Sequence, residues 1–190
     1  MGVAGHGMVK QARSFDFDTQ LNIGTLGVQI AKSVLRARYS YITDYAEDRE
    51  MQRRGVDLYV EGLGYLEVKT DTHDPRRLFF ELAVGDKPGA VDRCSADYFC
   101  VLYPEHRVIY LIPRPELQKW LRENIGWIER KRPYWLKDAA SRNEGRRWRA
   151  TGVVIPRRLL QKDIKIAVIQ WSEEDERITA QWKEATNARG

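Results

Sequence analysis

Cysteine is nearly absent: Cys94 and Cys100 are the only two in 190 residues. Two thiols six positions apart exclude a disulfide scaffold. They also exclude a cysteine zinc site, which needs more ligands at closer spacing. Cys100 lies in the apolar run 98–102 and reads as a small core residue. Reduced thiols fit a cytoplasmic setting. Long hydrophobic runs are missing too. No stretch approaches 18 consecutive apolar residues, so no membrane-spanning helix is expected. Residues 1–8 are Gly-rich and lack the apolar segment of a secretory signal, and residues 1–14 are read as a loose tail. Histidine is scarce: His6 and His106 carry no pattern, and His73, between Asp71 and Asp74, reads as a turn residue. What remains is 43% apolar and 31% charged, enough for one globular domain with its own core.

The net charge of +5 conceals an asymmetry. Between Arg130 and Lys165 stand twelve Lys/Arg against three Asp/Glu, a local charge of +9, which leaves −4 for the rest. Such a concentration is the footprint of a polyanion partner. Arg130, Lys131, Arg132, Arg146, Arg147 and Arg149 are the residues expected to grip nucleic acid, and they alternate with Trp127, Tyr134, Trp135 and Trp148. Cations there neutralise phosphates and release counterions, while rings stack on unpaired bases. At least two of these three tryptophans are expected to fill a minor core instead. Nothing reads as a helix-turn-helix or a zinc finger.

Hydrophobic spacing predicts a first helix from Asp18 or Thr19 to about Arg38, with Leu26, Ile30 and Val34 on one face. Gly24 and Gly27 predict close approach of another backbone or a nucleic-acid strand. Strands are expected at 39–45, 56–61, 65–70, 78–84, 97–103 and 107–112, with a connector over 46–54. A helix follows at 113–125, started by Pro113. Beyond Gly126 periodicity weakens. A strand at 151–155, a short helix at 156–161, a strand at 164–171 and an acidic-started helix after Ser172 complete an α/β chain with a mixed sheet.

The chemistry is concentrated in the hairpin 55–69, whose turn is centred near Gly62. Residues equidistant from the turn face each other, so Asp57 and Glu67 lie opposite or within one position. Alternation puts Glu67 and Lys69 on one face. Val56, Leu66 and Val68 are expected on the other, in the core. Two close carboxylates repel unless a shared proton or a hard divalent cation such as Mg²⁺ sits between them. The carbonyl of Val68 can add an oxygen, and Lys69 can orient or deprotonate water or offset developing charge. The bland alternative is a cross-strand surface ion pair. Glu81, on the strand 78–84, and Gln52, just before the hairpin, are candidates for supporting roles beside the site.

Val56-Asp57 followed by Glu67-Val68-Lys69, after one helix and on a hairpin, resembles the PD-(D/E)XK nuclease superfamily. Its phage and archaeal Holliday-junction resolvase-type members and several restriction enzymes are the most similar in layout. The resemblance spans about residues 19–125 and is densest over 55–70. It implies an α/β restriction endonuclease-like core of αβββαβ order over residues 15–125, with residues 126–190 a basic, aromatic extension packed on the same domain. It further implies Asp57 and Glu67 as metal ligands, Lys69 as the catalytic lysine, and Mg²⁺ (or Mn²⁺) in phosphodiester hydrolysis of DNA. A homodimer would let two symmetric sites cut two strands. The sequence departs from the pattern at Val56, where a proline is usual. It departs again at Gln29, where many members carry a helix glutamate; Gln29 can orient water without adding charge, which leaves a one-metal site. Two rival readings stand beside this one. The first is a module of the same fold that binds nucleic acid without cutting. The second is an assembly protein whose basic segment holds an acidic partner.

Overall fold

The computed structural model describes residues 17–143 and 146–172, and side chains over 23–138 and 149–172. The loose tail expected at the start and the helix expected after Ser172 lie outside the described residues. Among the described residues, ten strands and five α-helices follow in chain order: α1 (Phe17–Arg36), β1 (Ile42–Asp44), α2 (Arg49–Arg53), β2 (Leu58–Val60), β3 (Gly64–Thr70), β4 (Arg77–Val84), β5 (Lys87–Pro88), α3 (Ala90–Arg93), β6 (Tyr98–Tyr103), β7 (Val108–Pro113), α4 (Arg114–Lys131), β8 (Leu136–Asn143), β9 (Arg146–Pro156), α5 (Arg157–Leu160) and β10 (Ala167–Gln170).

They form two sheets. The first is mixed, in the order β1-β2-β3-β6-β7-β10, with β3 and β6 parallel and every other pair antiparallel. The second is antiparallel, in the order β5-β4-β9-β8. The α/β class and the mixed sheet are as expected. The second sheet is not: residues 78–84 do form a strand, but it leaves the main sheet and pairs with β9. The weakly periodic stretch after Gly126 proves to be the end of α4, which runs unbroken to Lys131, and the β8–β9 hairpin. Residues on both sides of position 126 therefore share the second sheet.

The central strands explain their own composition. In β6, Phe99, Val101 and Tyr103 face one core while Cys100 and Leu102 face the other. In β7, Val108, Tyr110 and Ile112 alternate with Ile109 and Leu111 in the same way. A strand buried on both faces needs an apolar residue at every position. One core lies under α1, where Ile30, Ala31, Val34 and Leu35 meet Leu58, Leu66 and Val68. Fully burying a Val, Leu or Ile side chain contributes about 1.5–3 kcal/mol, so this stripe fixes α1 on the sheet. The other core lies between the first sheet, α4 and the second sheet. Trp120 and Trp135 are buried in it, and Trp120 Nε1 donates to Asp163 at 2.8 Å.

The glycines of α1 divide. Gly27 is buried against β3, and a Cβ there would overlap Thr70 Oγ1, so the expected close approach is to a strand of the same chain. Gly24 has open space around it.

Candidate functional site

The hairpin register is the one the turn dictates: Leu58 pairs with Leu66 and Val60 with Gly64 about Gly62, whose φ is +84°. The regular ladder stops one residue before Asp57. There the backbone breaks its alternation. Val56 enters the core beneath the second sheet, whereas Leu58 enters the core beneath α1. The expectation that Val56 would share a face with Leu66 and Val68 is thus corrected. The break frees Asp57 to use its side chain where a ladder bond would have been: Asp57 Oδ2 accepts the Val68 N–H at 2.8 Å. The N–H and C=O of one extended residue point to the same side. The Val68 carbonyl therefore faces the same gap beside Asp57.

Glu67 and Lys69 alternate with Leu66 and Val68, so they leave the α1 face and emerge on the opposite one. Glu67 is only 8% exposed, a buried charge that requires a partner. Lys69 supplies it: Nζ lies 2.5 Å from Glu67 Oε1, with half of the lysine side chain open to solvent. Gln52, from the end of α2, donates through Nε2 to Asp57 Oδ1 at 3.2 Å and to the Tyr45 carbonyl at 3.1 Å. Asp48 caps α2 by accepting from the N–H groups of Glu50 and Met51, which holds that helix, and Gln52 with it, against the hairpin. Gly55 completes the packing. Its φ is +65°, and a Cβ would lie 2.6 Å from Cys94 Cβ and 3.3 Å from Glu67 Oε2. Sequence reasoning did not single out Gly55, although its place at the head of the hairpin was the available signal.

The electrostatics follow from this crowding. Burial, and then the charge of Glu67, push the Asp57 carboxyl above its ordinary value; the Val68 N–H, Lys69 and Gln52 only partly offset them. Burial would lower the Lys69 ammonium, but Glu67, Asp57 and Glu81 outweigh it and hold it above the usual lysine range. Lys69 is therefore a fixed cation at neutral pH, which disfavours its use as a base. A raised carboxyl has a measurable sign. Folding retains the Asp57 proton above pH 3.8, and that stabilisation is lost as pH rises through the folded-state value. Measured without divalent ions, the Tm of wild type relative to Asp57→Asn is expected to fall as pH rises above 3.8. A pH-independent difference between the two proteins would contradict the shift.

The remaining expected residues separate into near and far. Glu81 is near: it lines the same cleft as Lys69, and its Oε1 accepts the Ala90 N–H at 3.2 Å. Gln29 is not brought to the site. It lies on α1, whose contact face is the Leu66 and Val68 side of the sheet, and its side chain bonds Asp44, which also pairs with Lys32 at 2.6 Å. His73 is mostly exposed, with Nδ1 2.8 Å from Asp71 Oδ1. Arg130, Lys131 and Arg132 are exposed at the end of α4, with Arg132 over the Trp127 ring at 6.0 Å. Arg149 Nη2 meets Asp138 Oδ2 at 2.5 Å, so this cation is already paired. The side chains of Arg146, Arg147 and Trp148 lie outside the described residues. Of the other two tryptophans of that segment, Trp135 is buried and Trp127 stays 38% exposed.

No protein-family model, curated protein or solved structure matches the chain. Among the described residues no three His, Cys, Asp or Glu side chains are grouped to hold a metal, and no helix is long and apolar enough to cross a membrane. What is present is a pair of carboxylates, a carbonyl facing the same gap, and one lysine. Mg²⁺ is commonly held by one or two carboxylates, keeping several waters and binding substrate phosphates, so this donor set fits such an ion. It does not resemble the four-ligand cage of a structural zinc.

Beyond Lys69 the surface opens into a cleft of about 700 Å³, lined by residues of β3, β4, β6 and β9 and by the segment 71–74. On the other side, Tyr59 and Tyr65 form a cross-strand pair with ring centroids 5.3 Å apart, and Tyr45 lies 6.4 Å from Tyr65. Tyr65 precedes Glu67 by two positions on β3, so both project from one face. Glu67 thus sits between an aromatic patch and Lys69 on the cleft lining.

Proposed function

We propose that this chain is a metal-dependent nuclease hydrolysing phosphodiester bonds in DNA, on a restriction endonuclease-like core. The observation that carries the reading is the gathering of Asp57, Glu67 and Lys69, with Glu67 buried, Asp57 raised and Lys69 on the lining of an open cleft. Such an arrangement is costly for the fold and suits a site awaiting a divalent cation. The sheet order supports it as well. A helix, the antiparallel strands β1, β2 and β3, the four-residue helix α3 and a strand parallel to β3 follow one another as the PD-(D/E)XK resemblance implies, with α2 inserted between β1 and β2 and with β4 and β5 as an excursion before α3.

In this reading Asp57, Glu67 and the Val68 carbonyl hold Mg²⁺ or Mn²⁺. When bound, the ion supplies Lewis-acid polarisation of the phosphate and a more acidic water. The chain's own residues do the rest. Gln52 and the Val68 N–H fix the Asp57 carboxylate from two sides. Glu67 anchors the Lys69 ammonium. Lys69, held protonated, places a positive charge where negative charge develops on the phosphate oxygens, the kind of preorganised stabilisation worth about 10²–10³ in rate when one donor is removed. The exposed cations at the end of α4 neutralise phosphates further along the strand.

A second reading, binding without cutting, is favoured by one observation: the Gln29 side chain is engaged by Asp44 and the acidic set stops at two. Incubating purified protein with linear duplex, single strand, flap and four-way junction DNA separates the readings. Cleavage of at least one substrate is expected with Mg²⁺ or Mn²⁺ and none with EDTA. Salt-sensitive binding without cleavage of any substrate would assign the chain to the second reading. No salt-sensitive binding at all would exclude both.

A further inference from the structure

The geometry points to the cleft beside Lys69 as the seat of an unpaired nucleobase, so that the strand acted on is single-stranded or frayed rather than held within duplex. The inference rests on the nuclease reading for the identity of the polymer and adds the form in which the polymer is taken.

Phe79 is one of few large apolar side chains left exposed among the described residues, at 40%. Its neighbours on β4, Leu78 and Phe80, are buried in the core, so alternation turns Phe79 to the outer face of the second sheet. There Phe79 pairs with Val154, and Glu81 pairs with Gly152, which in turn pairs with Lys137. Gly152 is bare for a reason: a Cβ would overlap the Phe79 ring. The ring therefore lies against β9 backbone on one side and keeps its orientation without packing on the other. A held aromatic ring with a free face is a stacking surface. The bland role, covering a strand glycine, accounts for the held side and leaves the exposed side unused.

The cleft's size and charge fit one occupant. Its volume is in the range of pockets that enclose a small ligand, and too confined for a paired duplex to enter. Its floor is apolar, from Val91, Phe99 and Val101. Its acids are already engaged: Asp71 by His73, Asp74 by Arg76, and Glu81 by the Ala90 N–H. Arg77 and Lys137, also on the lining, are exposed, and neither is within ion-pair distance of a carboxylate among the described residues, although the charge of Arg77 acts on Asp74. Two exposed cations beside an apolar, ring-faced floor match a base flanked by phosphates. The same cleft begins at Lys69, so a base seated on Phe79 would set its adjoining phosphate toward Glu67 and Asp57.

Binding in EDTA separates this inference from the nuclease reading, because no cleavage is needed. A single-stranded oligonucleotide carrying 5-iodouracil is irradiated with the protein, and the crosslinked peptide is mapped. Crosslinking at Phe79 is expected, together with affinity for single strand at least tenfold above that for duplex of the same sequence. Phe79→Ala and the milder Phe79→Leu should each weaken single-strand binding by roughly tenfold and leave duplex binding unchanged. Equal affinity for both forms, or crosslinks only away from the cleft, would overturn the proposal. That result in a protein that cuts duplex in Mg²⁺ would leave the nuclease reading intact. Crosslinking at Phe79 without cleavage of any substrate would remove the nuclease reading and keep the base seat.

Discussion

Glu67→Gln is expected to give a folded protein whose cleavage of DNA in Mg²⁺ falls by at least about 10²–10³-fold. The substitution keeps shape and volume, so no cavity opens. It removes the charge that holds Lys69 Nζ at 2.5 Å and that contributes to the negative field on Asp57. Two effects on stability then oppose each other. The ion pair is lost, which in a fully buried setting costs several kcal/mol. Here half of the Lys69 side chain reaches solvent, so its charge returns to water at lower cost, and Asp57 is relieved of a like-charged neighbour. Little change in Tm is therefore expected beside a large loss of rate. Cleavage assays and thermal melts on the same preparation check both parts. Wild-type rates in the variant would remove Glu67 from the site and the nuclease reading with it.

The second large effect is expected from a residue with no chemistry of its own. Gly55→Ala places a Cβ 2.6 Å from Cys94 Cβ at a backbone φ of +65°. The left-handed conformation costs a residue other than glycine about 1–2 kcal/mol, and forcing a methyl into a packed contact about 1–3 kcal/mol more. For a chain of this size each kcal/mol lowers Tm by about 2–4 °C, so a fall of about 4–20 °C follows. Activity should drop more than tenfold even at temperatures where the variant is folded, since Glu67 Oε2 lies 3.3 Å from the same Cβ. Gly85→Ala is the control. Its φ is +56°, with nothing within 4 Å of the added carbon, so it carries the backbone strain alone. Equal Tm and activity losses in the two variants would show that close packing at Gly55 is unimportant.

The site hairpin was legible because its information is local. Gly62 fixes the turn, the turn fixes the pairing of Leu58 with Leu66, and alternation then gathers Glu67 with Lys69. The central strands were legible for a related reason: apolar residues serving two cores make continuous runs in β6 and β7. What failed was non-local. Nothing around Leu78 or Phe80 says that their strand leaves the main sheet, because pairing with Val153 and Ile155 depends on residues more than seventy positions away. Gln29 was expected to orient water at the site on the strength of resemblance. Its helix, however, was already committed by Ile30, Val34 and Leu35 to the opposite face. The break at Asp57 was also invisible, since Val56 and Leu58 look like one alternating run until each is seen in its own core.

Parity is a hidden constraint on the exposed turn between β2 and β3. Any insertion or deletion there that shifts β3 by one place would present Leu66 and Val68 to the solvent cleft and drive Glu67 and Lys69 beneath α1. A shift by two would restore the faces but slide Glu67 and Lys69 together along the hairpin relative to Asp57. This turn therefore sets which face of the sheet carries Glu67 and Lys69, and only even changes in its reach keep that face.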